Sequence, residues 1–431
     1  MRGGFLPVII AGITPILVFT LLVTGIGLRA VEWQPPILWS DQFGTQGSEV
    51  DNAVTAASAD LSGVYAAGHV GLTLSMVMNL SPSNLFLSRY DPGGHQIWTR
   101  SFALPYDHVS GTSVGRGSVY IAGRMNGTGF VRKYDLNGTQ LWTSVYGKAN
   151  SAALSVSVGT SSVFSGFQYA SGGSNQNNVL VAYDSNGNQI WTDSLGNSTQ
   201  GSLNVYSDTN RLYVAGYLAT GFLRSYYLNG TLEWTQNLSC SCEPSGVAAD
   251  PSAIYVAGYS YALASGFLVK SNFNGSLLWT KSFEAPDLSV VGPVRMSVSP
   301  SGIYLVTTTT LGGYLIRYDT NGNQVWSVRV ARLGSANAVS AGQNGAYVGG
   351  EVGPFSDAFL SEYDQSSSLI LFGLNPPYSF ILIAVLGGVV AVSVFWFRRL
   401  IRKRTPRPKS TASHRPASPS SDESPWVRRP P

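Results

Sequence analysis

Residues 89–102 read RYDPGGHQIWTRSF, in which two strand-like runs flank an Asp-Pro-Gly-Gly turn and the second run carries a Trp. Five further stretches repeat this pattern: KYDLNGTQLWTSVY (133–146), AYDSNGNQIWTDSL (182–195), YYLNGTLEWTQNL (226–238), SNFNGSLLWTKSF (271–283) and RYDTNGNQVWSVRV (317–330). Asn-Gly and Gly-Gly dipeptides readily adopt the positive φ that a tight hairpin turn requires. Each copy is therefore predicted to be a β-hairpin.

A second pattern precedes each hairpin and occurs seven times. It reads VYAAG (64–68), VYIAG (119–123), VFSG (163–166), LYVAG (212–216), IYVAG (254–258), IYLVT (303–307) and AYVGG (346–350). Near-continuous apolar runs of this length are typical of strands that are buried on both faces. The chain therefore contains seven repeated units, although only six complete Trp hairpins follow them.

The missing Trp strand is found at the other end of the repeated region. The seventh unit stops at SEYDQSSS (361–368), whereas ILWSDQF (37–43) matches QIWTRSF of the first hairpin. We therefore predict an all-β fold, a seven-bladed β-propeller over residues 37–364, closed by the N-terminal strand 37–43 as the outer strand of the last blade. One structural Trp per blade follows from this prediction: Trp39, Trp98, Trp142, Trp191, Trp234, Trp279 and Trp326.

These motifs resemble the seven-bladed β-propeller repeats of prokaryotic surface proteins, often called SBBP repeats, over roughly 37–364. They are more distantly similar to quinoprotein-type propellers, whose blades also carry an Asp…Gly…Trp hairpin. The first resemblance implies a recognition or scaffold domain, because such propellers mostly serve these roles. They share an architecture and not one enzymatic activity. The second implies an alternative, a quinone- or metal-dependent surface enzyme. Those enzymes have eight blades and a cofactor site with adjacent paired cysteines, a basic side chain and metal-binding acids. The blade count and the cysteine spacing of this chain depart from that pattern.

Two apolar segments flank the repeats. Residues 378–397 (YSFILIAVLGGVVAVSVFWF) are uncharged and long enough to span a bilayer as a helix, and the basic RRLIRKR that follows favours a cytoplasmic side. Residues 5–28 form either a signal peptide or an uncleaved signal-anchor helix. We therefore expect the propeller outside the cell membrane and a disordered basic tail, 398–431, in the cytoplasm, in a prokaryotic and preferably archaeal cell.

Charge and composition exclude one class of partner. The chain has a net charge of +4, but residues 31–397 carry fifteen Lys and Arg against 21 Asp and Glu, a net charge of −6. A mildly acidic body lacks the basic surface that nucleic-acid binding needs. Partners are expected to be the membrane and an extracellular protein or glycan, bound through the loops that join strands D to A and B to C, the longest of which are 69–84 and 169–178.

Few residues carry a chemical signal. Seven N-glycosylation sequons occur, at Asn79, Asn126, Asn137, Asn197, Asn229, Asn237 and Asn274, and three of these Asn also occupy predicted hairpin turns. Cys240 and Cys242 are the only cysteines, and a local disulfide, free thiols, an interchain bond or a soft metal ion are all compatible with their spacing.

The four His residues are scattered, and no catalytic, cofactor or metal motif is found, so we predict no enzyme activity and no cofactor. The sequence therefore favours a surface recognition or scaffold protein. The alternatives are the quinoprotein-type enzyme and a sensor that signals through its basic tail.

Overall fold

A computed structural model describes residues 35–44, 50–73, 83–104, 108–170, 176–199, 201–238, 242–260, 264–283, 290, 292–353 and 357–365. All of them belong to one of the two units into which the chain divides, Glu32–Ser367. Within these ranges, no helix has the length and hydropathy needed to span a bilayer. The predicted segments 5–28 and 378–397 and the tail 398–431 lie outside the described residues.

The described chain forms seven antiparallel sheets of four strands, lettered A to D from the innermost strand outward. The A strands are β2 (Val50–Asp60), β6 (His108–Gly115), β10 (Ser151–Val158), β14 (Leu203–Ser207), β18 (Cys242–Ala249), β22 (Arg295–Ser299) and β26 (Ser335–Ala341). The B strands are β3 (Gly63–Thr73), β7 (Ser118–Met125), β11 (Val163–Ala170), β15 (Arg211–Tyr217), β19 (Ile254–Ser260), β23 (Gly302–Thr309) and β27 (Gly345–Val352). The C strands are β4 (Ser83–Tyr90), β8 (Thr128–Asp135), β12 (Gln176–Tyr183), β16 (Gly221–Tyr227), β20 (Ser265–Ser271), β24 (Gly312–Tyr318) and β28 (Asp357–Asp364). The D strands are β5 (Gln96–Leu104), β9 (Gln140–Val145), β13 (Gln189–Ser198), β17 (Leu232–Asn237), β21 (Leu277–Phe283), β25 (Gln324–Arg332) and β1 (Ile37–Phe43).

Six of the sheets, blades one to six, are consecutive in sequence, and blade seven combines β26, β27 and β28 with β1. In this last sheet β1 is antiparallel to β28, with Trp39 opposite Glu362 and Phe43 opposite Ala358. The amide of Asp364 also donates a hydrogen bond of 2.9 Å to the carbonyl oxygen of Pro36. The predicted seven-bladed propeller and its closure by strand 37–43 are thus confirmed.

The blades form a closed ring. Each A strand contacts the A strands of the two neighbouring blades, and β26 of blade seven contacts β2 of blade one. The hydrophobic core is divided accordingly into seven clusters, one at each interface between blades. Between blades seven and one, Val54 and Phe86 pack in one cluster with Tyr347 and Leu360. Burial of apolar area between blades therefore stabilises the ring at every interface, including the closing one.

The second position of each B-strand motif is an aromatic residue that is almost fully buried: Tyr65, Tyr120, Phe164, Tyr213, Tyr255, Tyr304 and Tyr347. A buried Tyr hydroxyl needs a hydrogen-bond partner. Tyr213 and Tyr255 donate theirs to Asp208 and Asp250 in the turns between strands A and B, over 3.2 and 2.9 Å. The motif thus fixes both the blade interface and the turn before it.

In six blades the Trp of the D strand contacts a Gly of the next blade. The pairs are Trp39 with Gly94, Trp98 with Gly138, Trp142 with Gly187, Trp191 with Gly230, Trp234 with Gly275 and Trp279 with Gly322. At Gly138 φ is +80°, and an added Cβ would lie 2.9 Å from Trp98 Cδ2. The indole Nε1 of Trp98 donates 2.9 Å to the carbonyl oxygen of Leu136 in the same turn. The hairpin Gly therefore provides both the turn conformation and the space for the indole of the preceding blade.

The connections divide between two faces of the ring. The A–B and C–D turns lie on one face, which we call the turn face, and the B–C and D–A connections lie on the other, the mouth face. Pro36 and Asp364, joined by a hydrogen bond, place both ends of the propeller on the turn face.

Candidate functional site

A cavity of about 850 Å³ lies on the propeller axis where the A strands begin, at the mouth face. Every A strand contributes to its lining, and one lining residue from each strand, seven in all, makes up what we call the mouth ring. They are Thr55, Ser110, Leu154, Asn204, Ser245, Arg295 and Asn337. Six of the seven are polar, so the cavity is suited to a ligand with hydrogen-bonding groups.

Five mouth-ring residues occupy β-bulges. The pairing of the A strand with the B strand skips one residue at Thr55, Ser110, Leu154, Ser245 and Asn337. An extra residue in one strand bends that strand and redirects a side chain. The bulges therefore explain why the lining residues turn toward the axis.

The B-strand glycine permits these bulges. A Cβ on Gly68 would overlap the carbonyl oxygen of Ala53, and one on Gly258 would overlap that of Glu243. A Cβ on Gly123 would likewise overlap the carbonyl oxygen of His108, and one on Gly350 would overlap that of Ser335. The final Gly of the VYAAG-type motif is thus required by close approach of the A-strand backbone. In these four blades the Gly marks where the A-strand backbone approaches, but it does not identify the mouth-ring side chains, which the sequence prediction did not include.

Hydrogen bonds between blades hold the ring in place. Thr55 Oγ1 donates 2.7 Å to the carbonyl oxygen of Val109 in the next blade, and Ser245 Oγ donates 2.7 Å to that of Val294. The amide of Val294 donates back to Ser245 Oγ over 3.0 Å. Because these bonds tie mouth-ring side chains to a neighbouring backbone, the cavity wall is preorganised.

Arg295 is the only Lys or Arg among the described residues that line the cavity. Its Nη1 donates 3.2 Å to the carbonyl oxygen of Ser245, and within the described ranges it forms no other hydrogen bond and no ion pair. Burial lowers the pKa of the Arg295 guanidinium, and the charge of Glu243, on the same cavity wall, opposes that shift. With five N–H donors and an intrinsic pKa above about 12, Arg295 stays charged and has donors left for a ligand.

Two histidines, His69 and His108, line the opposite part of the ring, in blades one and two. Burial lowers the pKa of His108, and the charges of Arg124 and His69 act in the same direction. The neutral imidazole is therefore the favoured form of His108 at neutral pH, able to donate through one nitrogen and accept through the other. Arg295 and Glu243 are the Lys, Arg, Asp or Glu residues among the described lining residues.

His69, the first residue of the predicted binding loop 69–84, lines this cavity, whereas the predicted Trp residues and sequons lie away from it. The Trp residues lie on the D strands, and six of the seven sequons fall on exposed residues: Asn126, Asn137, Asn197, Asn229, Asn237 and Asn274. Asn79 lies outside the described residues, as do parts of the two long loops, residues 74–82 and 171–175. Their glycosylation and their part in binding stay predictions.

Cys242 begins β18, is fully buried and is disulfide-bonded. Cys240 lies outside the described residues, so the local pairing stays a prediction. Among the described residues, no group of three or more His, Cys, Asp or Glu is placed to hold a metal ion.

The Asp-x-Asn-Gly-Asn turns bind their own backbone. Asp184 Oδ1 accepts hydrogen bonds of 2.8 Å from the amides of Asn186 and Asn188. Asp319 Oδ1 does the same for Asn321 and Asn323, over 2.9 and 2.8 Å. Both acids therefore cap their own turns.

Comparison with known proteins supports the architecture. A family model described as PQQ_2, outer membrane protein assembly factor BamB, matches residues 127–290, less than half of the chain. The WD40 β-propeller domain of Doa1 is similar at 13% identity and a TM-score of 0.51, over 75% of this chain and 96% of that one. BamB from Moraxella catarrhalis is similar at 13% identity and a TM-score of 0.48, over 76% of this chain and 100% of that one. No curated protein sequence matches the chain. At 13% identity the similarity to the Doa1 domain shows the β-propeller fold and nothing further.

The residues of the cavity do not fit the quinone cofactor of quinoprotein-type propellers. Arg295 provides a basic side chain, but Glu243 is the only Asp or Glu among the described lining residues. The two cysteines are separated by one residue and are not adjacent. The described part of the propeller thus supplies one of the three site features that the resemblance implies.

Proposed function

We propose that the chain is a recognition or scaffold propeller, held at a membrane and binding an extracellular protein or glycan at its mouth face. The observation that carries the proposal is the position of the cavity relative to the chain ends. The chain enters the propeller at Pro36 and exits at Asp364, both on the turn face, whereas the cavity of about 850 Å³ lies at the mouth face. A tether at either end therefore leaves the cavity accessible.

The membrane attachment rests on the two apolar segments. Residues 5–28 and 378–397 adjoin the propeller ends, and the basic residues after 397 favour a cytoplasmic tail. A membrane-impermeant amine reagent on intact cells should then label exposed propeller lysines such as Lys148 and Lys281. Lys403 and Lys409 in the tail should react only after the cells are permeabilised. Labelling of both groups in intact cells, or of neither, would contradict the proposed topology.

A protein partner is favoured over a glycan by the family match over 127–290, whose description is that of an assembly factor. Cross-linking and affinity capture with the full-length chain should therefore recover a protein. Asn204→Arg and Asn337→Arg each place a large side chain in the mouth ring and should abolish capture of that protein. Asn186→Arg makes the same change in an exposed turn on the turn face and serves as the control. Equal capture by all variants would refute binding at the mouth face.

The quinone- or metal-dependent enzyme is the second candidate, and the PQQ_2 description of the family model is the observation that favours it. Protein purified from its natural host should then carry a bound chromophore that absorbs in the visible or near-ultraviolet range, or a stoichiometric metal ion. Absorption spectra together with elemental analysis test this candidate, and a colourless, metal-free protein removes it.

A further inference from the structure

The mouth ring contains a charged and a neutral hydrogen-bond donor on neighbouring A strands. Arg295 begins β22 and Asn337 lies on the adjacent β26, and both line the cavity. Arg295 gives one hydrogen bond, to Ser245, and Asn337 forms no side-chain hydrogen bond with any described residue. Two side chains whose N–H groups have few protein partners thus border the same space.

We propose that the mouth ring binds a carboxylate group, held by the guanidinium of Arg295 with the amide of Asn337 beside it. The proposal rests on the recognition function proposed above and names the chemical group recognised. A guanidinium presents parallel N–H groups that match the two oxygens of a carboxylate. The cavity, at about 850 Å³, lies within the range of roughly 300–1,000 Å³ that holds small ligands, so the remainder of a small acid or an acidic peptide end fits as well.

The charge of the lining selects among anions. Glu243 contributes one negative charge to the same wall as Arg295, and the lowered pKa of His108 removes that imidazole as a second cation at neutral pH. The site therefore offers one positive charge that a singly charged carboxylate can use. Glu243 repels any anion in the cavity, and it repels a doubly charged phosphate or sulfate more strongly than a singly charged carboxylate.

Direct binding to the purified full-length chain tests the proposal. The probes are benzoate, with neutral benzamide as its control, and a short peptide with a free C-terminal carboxylate, with its C-terminal amide as the control. Saturation-transfer NMR detects the small molecules, and calorimetry measures the peptide. Binding of benzoate identifies a small organic acid as sufficient, whereas binding of the peptide acid alone identifies a protein segment as the source of the carboxylate. In both cases the neutral control should not bind.

Three variants assign the binding to Arg295. Arg295→Gln should weaken carboxylate binding about 10- to 100-fold, the range expected for a charge-assisted pair. Glu243→Gln removes the competing negative charge and should strengthen binding. Arg211→Gln is the matched control, because Arg211 pairs with Glu233, at 2.7 Å, and does not line the cavity. It should leave the affinity for the probe unchanged.

Asn337→Asp keeps the test decisive if Arg295→Gln does not fold. It places a negative charge beside Arg295 at nearly constant volume and should abolish binding. Equal binding of acid and amide, equal affinity of wild type and Arg295→Gln, or tighter binding of phosphate than of carboxylate would each overturn the proposal. If no carboxylate probe binds while a partner is still captured at the mouth face, the carboxylate inference is wrong and the recognition function stands.

Discussion

Replacement of Trp39 by Ala tests how strongly the chain ends are joined. Trp39 is half-buried in β1, and its ring stacks on that of Tyr90 at a centroid distance of 5.9 Å and is tilted against that of Tyr347 at 6.0 Å. Its Nε1 donates 2.8 Å to Oε2 of Glu362, a carboxyl group whose residue is only 1% exposed. The substitution therefore removes ring packing across the closing interface and also the donor to a buried acid.

Two contributions determine the expected loss of stability. Truncation of a fully buried Trp costs about 3–5 kcal/mol, so a half-buried one costs roughly 2 kcal/mol. A buried polar group left without its partner costs about 1–3 kcal/mol more. We expect Trp39→Ala to lower the free energy of unfolding by about 3–5 kcal/mol, a large part of the roughly 5–15 kcal/mol of a typical domain.

Denaturant unfolding of the full-length chain, followed by far-ultraviolet circular dichroism, measures the loss. Trp234→Ala is the matched control, because its indole also contacts a hairpin Gly and donates 3.0 Å to the backbone carbonyl of Phe273. That acceptor is a neutral carbonyl and not a buried acid, so the substitution should cost about 2 kcal/mol. Trp39→Phe keeps a ring and loses the donor, which separates the two contributions at Trp39.

Equal losses for Trp39→Ala and Trp234→Ala would refute the special role assigned to the closing interface. Because the Gln amide oxygen can still accept the bond from Trp39, an unchanged loss for Trp39→Ala in the Glu362→Gln background would show that the acidic character of the acceptor contributes nothing. The predicted result is a smaller loss in that background, because a neutral amide is less costly than a carboxylate to leave buried without its partner.

Three further substitutions test the fold and the mouth ring. Burial raises the pKa of Glu362, with the hydrogen bond from Trp39 opposing this only in part. The protonated acid therefore stabilises the propeller at low pH, and this contribution is lost as the pH rises through the raised pKa. The urea midpoint of Glu362→Gln should therefore equal that of the wild type near about pH 4 and exceed it near about pH 8. Gly138→Ala should cost roughly 1–3 kcal/mol, measured in the same way, because φ is +80° and the indole of Trp98 occupies the space. Ser245→Ala leaves the buried amide of Val294 without its acceptor and should cost about 1–3 kcal/mol, with faster hydrogen exchange at Val294 as a local readout.

The fold could be predicted because its determinants are local and repeated. The turn Gly and the Trp four residues later recur in every complete hairpin. The Trp strand that the seventh unit lacks is present at the N-terminal end of the repeats, as residues 37–43. The mouth ring could not be predicted in the same way. A-strand sequences such as HVSGTSVG and SANAVSA share little, and the bulge at Ser110 depends on how the strand pairs with its neighbour. Arg295 carries no local signal at all, because its importance arises only when seven strands surround one axis.

The pairing of β1 with β28 has a consequence for biosynthesis. Trp39 and Glu362 are 323 residues apart, and the ribosome adds about 5–20 residues per second, so the first strand waits roughly 15 to 65 s for its partner. During that time β1 is an unpaired edge and the nascent ring is open. A chaperone or export factor that shields residues 37–43 would act within this interval, and a chain truncated before residue 357 would keep that edge permanently available for pairing with another molecule.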